Sequence, residues 1–183
     1  MPTPEEVFVE LKAMLELDGA DITRLVALQP LFVRHGQRIT EDFYARLGEN
    51  PTTAALIEGR VEALKATHRV WMLELFGGQY GPEYLERRLR IGMAHVRIGL
   101  SPMYVEAVMH HIRAAGERVI HDTFTDGAEA SAHVISLFKI LDIDLALINL
   151  AYNEARLDLV STQTGMKRAL IENLIKQGGK KGR

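Results

Sequence analysis

Residues 90–102 read RIGMAHVRIGLSP, which places a histidine near the end of one helix and the start of the next helix just behind it. In the helix predicted from Pro82 to Gly99, one side carries Tyr84, Ile91, His95 and Ile98. Gly92 precedes His95 by about one turn, so the surface beside the imidazole lacks a side chain. Such a surface admits either a flat ligand or a second helix, and from periodicity we expect the helix. Ser101 and Pro102 predict the N-cap and first residue of the following helix.

The rest of the chain also has helical periodicity, with glycine and proline at the boundaries. Asp21 is the predicted cap of a second segment, and Pro30 the start of a new helix. The predicted helices are Pro4 to Leu17, Pro30 to Leu47, Thr53 to Phe76, Pro82 to Gly99, Pro102 to Phe124 and Ala128 to Thr162. The predicted fold class is therefore all-α.

Composition limits the function. The 183 residues suit one domain, and 47% hydrophobic with 25% charged residues is typical of a soluble globular protein. A net charge of −2 argues against nucleic acid as a partner. The chain has no cysteine, and its first six residues do not form a signal peptide, so we expect a cytoplasmic location. The most apolar stretch, Leu141 to Ala151, is interrupted by Asp142 and Asp144, so we expect no membrane span.

Sequence motifs for enzymatic chemistry are missing. The sequence contains no glycine-rich phosphate loop, no His-Glu-x-x-His and no Gly-x-Ser-x-Gly. Its carboxylates are distributed as helix-surface charges. We therefore expect that the chain is not an enzyme.

The order of several short phrases is more specific than any one of them. The chain reads LQPL at 28–31, DFYARL at 42–47, LKATH at 64–68, ELFGG at 74–78 and then HVRIGLSP at 95–102. Over roughly residues 20–160 this order resembles the sensor-globin domain of the globin-coupled sensor and protoglobin family. The resemblance implies a globin-like helical sandwich with an extra N-terminal helix and a long C-terminal helix.

The same resemblance implies a heme b cofactor and assigns roles to individual residues. His95 matches the histidine that ligates the iron, and Tyr44, preceded by Phe43, matches the distal tyrosine. Leu64 matches the apolar distal residue, and Thr67 matches a hydroxyl residue three positions on. One departure is Met103-Tyr104-Val105, where the family has an aromatic pair.

The residues themselves leave several roles open. A buried Tyr44 phenol can donate a hydrogen bond to a gas ligand or turn its hydroxyl toward water. Thr67 can donate a second bond or bond back to its own helix. His68 lies on the inward row of its helix and can coordinate ferric iron or satisfy a propionate or a backbone carbonyl; we expect the non-coordinating role.

Two further assignments concern the edge of the cofactor site. We expect Trp71 to pack beside the heme, with Gly92 as a further contact. Arg90 or Arg97 can pair with the propionates or remain on the solvated surface.

The last predicted helix carries two apolar rows. One recurs as a heptad, Val134, Phe138, Leu141, Leu145, Ile148, Tyr152, Ala155 and Leu159, and the second contains Ile140, Ile143, Leu147 and Leu150. If one row packs on the domain's own core, the other is left exposed in a monomer. We therefore expect a homodimer, the alternative being that both rows are internal.

Together with the resemblance to the sensor-globin family, these points predict a gas-sensing domain that binds O2, CO or NO. Residues 1–162 form the sensor globin domain, and residues 163–183 form a linker or a tail, frayed from Lys176, toward an output module outside this chain. Two alternatives remain open: a single-domain globin for O2 binding or NO detoxification, and a heme-free helical scaffold with the same fold.

Overall fold

A computed structural model describes residues 2–181, with the side chains described up to residue 178. Over residues 2–181 the chain forms eight helices and no strand, which confirms the all-α class. The helices are α1 (Pro4–Met14), α2 (Gly19–Glu49), α3 (Pro51–Ile57), α4 (Val61–Glu74), α5 (Pro82–Arg97), α6 (Pro102–Thr123), α7 (Gly127–Thr164) and α8 (Arg168–Lys181).

The predicted start of a helix at Pro30 is wrong, because α2 runs without a break from residue 19 to residue 49. Because proline has no backbone N–H, the Val26 carbonyl has no hydrogen-bond donor within the helix. Pro30 and Val26 are both exposed, so water can hydrogen-bond to this carbonyl instead. The N-cap is Asp18 rather than Asp21. Asp21 is the third helical residue and completes a capping box with Asp18.

The predicted single helix from Thr53 to Phe76 is divided into α3 and α4. The break includes Gly59, whose φ of 72° is the left-handed conformation that favours glycine at a helix end. The Asn50 side chain accepts hydrogen bonds from the Thr52 and Thr53 amides and starts α3 directly after α2.

The chain after α7 contains a helix that the sequence analysis missed. Gly165, with a φ of 70°, ends α7, and α8 follows from Arg168 to Lys181. Residues 176–181, where the sequence analysis expected fraying, are part of α8, and Gly182 and Arg183 lie outside the described residues. The linker or tail toward an output module stays a prediction.

The long helix α7 packs against α1, α2, α5, α6 and α8 and forms the centre of the fold. Side chains from both of its apolar rows are buried within the chain, including Leu141, Ile148, Ile140, Ile143 and Leu147. The argument that one row stays exposed in a monomer is therefore wrong for these positions. Among the eight helices, none is both long and apolar enough to cross a membrane.

Candidate functional site

A cavity of about 670 Å³ lies between α2, α3 and α4 on one side and α5 and α6 on the other. Seven of the eight residues assigned from the sequence line it: Phe43, Tyr44, Leu64, Thr67, His68, Trp71 and His95. Most of the other lining side chains are aliphatic. Arg60 and Arg90, both exposed, belong to the lining as well. The fold therefore gathers residues from separate helices around one largely apolar space.

His95 lies near the C-terminal end of α5 and faces this cavity. Its Nδ1 atom is buried and has no hydrogen-bond partner among the described residues, whereas Nε2 is not buried. Burial lowers the pKa of His95. The imidazole is therefore neutral at physiological pH and has a lone pair available for a metal.

Gly92 does not line the cavity, which corrects its assignment as a cofactor contact. A Cβ atom at this position would lie 2.5 Å from Cβ of Ala151 and 2.7 Å from the Ile148 carbonyl oxygen. Both neighbours belong to α7. The bare surface beside His95 therefore serves close helix packing, as periodicity indicated.

Tyr44 lies on α2, across the cavity from α5, and is only 9% exposed. Its hydroxyl makes no hydrogen bond to any residue from 2 to 178. Burial raises the pKa of Tyr44 to about 12. The phenol thus keeps its proton at neutral pH and can donate it to a ligand in the cavity.

His68 on α4 packs among the aromatic side chains of the cavity wall. Its ring lies 4.6 Å from the Phe43 ring, 5.8 Å from that of Tyr44 and 5.0 Å from that of Trp71, between centroids. Nδ1 lies 3.0 Å from Oγ1 of Thr40, and Nε2 is buried with no partner within the described chain. Burial lowers the pKa of His68 to about 4. When Nδ1 donates to Thr40, Nε2 presents its lone pair.

Thr67 bonds back to its own helix, the second of the two roles considered for it. Its hydroxyl donates to the Leu64 carbonyl oxygen at 2.8 Å, and the side chain is exposed. Leu64 itself is half-buried in the cavity wall. Thr67 therefore lines the cavity without a free hydroxyl proton aimed at it.

Two buried residues that the sequence analysis missed lie behind the cavity wall and contact it. Asp144 and Arg88 are both 0% exposed, and Asp144 accepts a hydrogen bond from Trp71 Nε1 at 2.6 Å. Two signals were available: Asp144 interrupts the most apolar stretch of the chain, and Arg88 continues the inward side of α5 between Tyr84 and Ile91. Each signal indicates a buried charged side chain, but neither identifies the other residue as its partner.

The arginines considered for the cofactor edge occupy different places. Arg90 lines the cavity and pairs with Glu86 at 2.8 Å on the exposed side of α5. Arg97 is exposed and does not line the cavity. Within the described residues, no group of three or more His, Asp or Glu side chains forms a metal cluster.

Comparison with known proteins agrees with this arrangement. The Protoglobin family model matches residues 5–157. The heme-based aerotactic transducer HemAT of Halobacterium salinarum is 33% identical over 126 residues, which cover 66% of this chain and 26% of the transducer. The chain thus corresponds to about a quarter of that relative.

Solved structures are similar as well. The globin domain of the Geobacter sulfurreducens globin-coupled sensor superposes with a TM-score of 0.75 at 34% identity, covering 78% of this chain and 95% of that domain. The ferric globin domain of E. coli DosC gives a TM-score of 0.67 at 16% identity, covering 78% of this chain and 97% of that one, which shows the fold alone.

The helical fold, with a histidine facing an apolar cavity opposite a tyrosine, defines a globin domain. The chain belongs to the Protoglobin family. Globin domains bind heme, globin sensor domains bind diatomic gases, and domains of this family are generally not enzymes.

The residues of the cavity fit a heme group. The accessible Nε2 of His95 is a suitable axial ligand, and the buried Nε2 of His68 lacks a partner in the described chain. The largely apolar wall suits the porphyrin faces. Exposed Arg60 and Arg90 can pair with carboxylates that extend toward solvent.

Proposed function

We propose that this chain binds heme b in the cavity and senses a diatomic gas, O2 in the first place, with CO and NO as further ligands. The observation that carries this proposal is the buried, neutral imidazole of His95, whose Nε2 is accessible in an apolar cavity. Heme iron, when bound, supplies the coordination position that a diatomic gas occupies.

Residues on the two sides of the cavity have different roles in this proposal. His95 offers the Nε2 lone pair from α5, and burial keeps the ring neutral for that purpose. Tyr44 donates a hydrogen bond from α2 to a polar ligand. The apolar wall around Leu64 excludes water, so this hydrogen bond is stronger than it would be in solvent.

Helix α5 also connects the site to the C-terminal part of the chain. Gly92, about one turn before His95, lies against Ala151 and Ile148 of α7. With no side chain between the two helices, a shift of α5 presses directly on α7. We expect this contact to bias two arrangements of the C-terminal helices and to convey the ligation state to an output module.

The same proposal includes a homodimer in the cytoplasm. The surface that supports it differs from the apolar rows expected from the sequence. The exposed apolar side chains of the C-terminal region are Leu159 and Val160 on α7 and Leu170, Leu174 and Ile175 on α8. A second copy of the chain is the partner that would cover them.

Heme titration tests the cofactor proposal. The heme-free protein is expected to bind one heme per chain and to develop a Soret band that shifts on reduction and again on addition of CO. His110→Ala, at an exposed position outside the cavity, serves as the matched control and should titrate like the wild type. Absence of a saturable one-to-one Soret signal in the folded wild type would contradict the proposal.

A further inference from the structure

A single buried carboxylate joins three helices behind the cavity wall. Asp144, in the middle of α7, accepts hydrogen bonds from Trp71 of α4 at 2.6 Å and from Nε of Arg88 of α5 at 3.0 and 3.1 Å. It also accepts one from the Tyr84 hydroxyl of α5. Asp144 is 0% exposed, so these side chains replace its contacts with water.

Arg88 strengthens the connection between α4 and α5. Its guanidinium pairs with Glu74 of α4, lies 4.0 Å above the Tyr84 ring and comes within 3.5 Å of the Trp71 carbonyl oxygen. Arg88 and His95 are seven residues apart on α5, or about 10 Å along the helix. The helix that carries His95 is therefore tied to α4 and α7 through this arginine.

Glu74 of this network lines the cavity, and so does Trp71. Its indole ring lies 5.0 Å from the His68 ring between centroids, and it lines the cavity beside His68. Its Nε1 atom points the other way, into Asp144. One side chain thus contacts both the cavity and the carboxylate of α7.

We propose that Asp144 is a positioning residue that holds the Trp71 indole in the cavity wall and makes α7 responsive to movements of α4 and α5. If Trp71 turned away, its indole N–H and one carboxylate oxygen of Asp144 would each lose a buried hydrogen bond, although Arg88 would still compensate the charge. Rotation of Trp71 is therefore costly unless α7 shifts with it. The role assigned to the cavity rests on the proposed function, whereas the hydrogen bond itself does not.

The indole N–H of Trp71 is a direct reporter, because the chain contains one tryptophan. Its hydrogen exchange is followed by ¹H–¹⁵N NMR on the protein as purified, in the diamagnetic ferrous CO form if heme is present. We expect this exchange to be at least tenfold faster in Asp144→Asn than in the wild type. Asp142→Asn is the matched control, because Asp142 is on the same helix but its side chain is 47% exposed and pairs with Arg113. In this variant the exchange of the Trp71 indole should stay within twofold of the wild type.

A functional epistasis test follows. If Asp144 acts through Trp71, Asp144→Asn alters the CO dissociation rate of the heme-loaded protein but has no further effect in a Trp71→Phe background. An equal effect in both backgrounds would overturn the positioning role. Indole exchange that is unchanged in Asp144→Asn, with helical circular dichroism retained, would overturn it as well.

If Asp144→Asn does not fold, the rate of indole exchange in the wild type alone tests the proposal. Indole exchange as fast as that of a free tryptophan side chain would overturn the proposal, and slow exchange supports it. A chain that takes up no heme but has a slowly exchanging indole would refute the proposed function and leave the Asp144–Trp71 contact intact.

Discussion

Nδ1 of His68 lies 3.0 Å from Oγ1 of Thr40, and this contact leaves Nε2 as a buried ring nitrogen without a hydrogen-bond partner in the described chain. When the Nδ1–H donates to this hydroxyl, Thr40 orients the imidazole and raises the basicity of Nε2 as a metal ligand. For this tautomer we predict that His68 coordinates ferric iron, in place of the non-coordinating role expected from the sequence.

The spin state of the ferric heme complex tests this prediction. Without added ligand, the wild type is expected to be six-coordinate and low-spin, and His68→Leu high-spin, because it removes the sixth ligand. Thr40→Val keeps His68 and loses only its orienting hydroxyl, so it should remain mainly low-spin. A wild-type spectrum that is high-spin or hydroxide-bound at neutral pH would contradict the prediction.

Tyr44→Phe is expected to keep the heme and to accelerate O2 dissociation about fivefold to tenfold, since one hydrogen bond of about 1–1.5 kcal/mol is lost. CO dissociation should change less, because CO is a poorer hydrogen-bond acceptor. Thr67→Val is the matched control: the Thr67 hydroxyl already donates to Leu64, so the O2 rate should stay within twofold of the wild type. Stopped-flow or flash photolysis gives both rates, and an unchanged O2 rate in Tyr44→Phe would rule out its donor role.

The pH dependence of stability reports the burial of His68. In the heme-free protein, the pKa of His68 is about 4, below the ordinary histidine value of 6.5. The unfolded chain therefore binds a proton between these values that the folded chain does not. The resulting stability is fully present above pH 6.5 and is lost as the pH falls toward 4, by up to roughly 3 kcal/mol.

Urea unfolding of the heme-free protein between pH 7 and 4.5 measures this loss. His68→Leu should flatten the decline, while His121→Leu, which changes an exposed histidine, should leave it as in the wild type. His95 contributes in the same direction, because burial lowers its pKa as well. If the free energy of unfolding falls equally steeply with decreasing pH in His68→Leu and in the wild type, burial of His68 does not destabilise its charged form.

Sedimentation tests the proposed dimer. The wild type should sediment at twice the 20.5 kDa mass of one chain. Leu174→Glu, which places a charge in the exposed apolar C-terminal surface, should give a folded monomer. Val33→Glu changes a side chain that is 63% exposed on α2, away from that surface, and should leave the dimer intact. A wild type that is monomeric at micromolar concentration would exclude the dimer.

The sequence predicted the helical class and most helix ends, because glycine, proline and apolar spacing act locally. Most of the residues that line the cavity were instead assigned through the resemblance to the sensor-globin family. The helix start predicted at Pro30 was wrong for a tertiary reason, and the helix break at Gly59 was missed for a local one. The helix accommodates Pro30 because solvent reaches the Val26 carbonyl. At Gly59 the left-handed backbone conformation ends the helix, although the apolar pattern of the sequence continues past it.

Partners that are distant in sequence were harder to predict. The Asp144–Arg88 ion pair joins residues 56 positions apart, and the Gly92 contact depends on how closely α5 approaches α7. Periodicity shows which side of a helix is inward. It does not show which residue that side meets, so Asp144 was noted only as a break in an apolar stretch. For Gly92, periodicity favoured a neighbouring helix, and the assignment to the cofactor departed from it.

The most direct test of the account is heme binding by His95→Gly with and without free imidazole. We predict that the folded variant loses most of the Soret absorption of the wild type and that imidazole restores it by occupying the space left by the side chain. His110→Gly should bind heme like the wild type without imidazole. A His95→Gly protein with wild-type heme affinity and an unaltered ferrous spectrum, insensitive to imidazole, would contradict the assignment of His95 as the axial ligand.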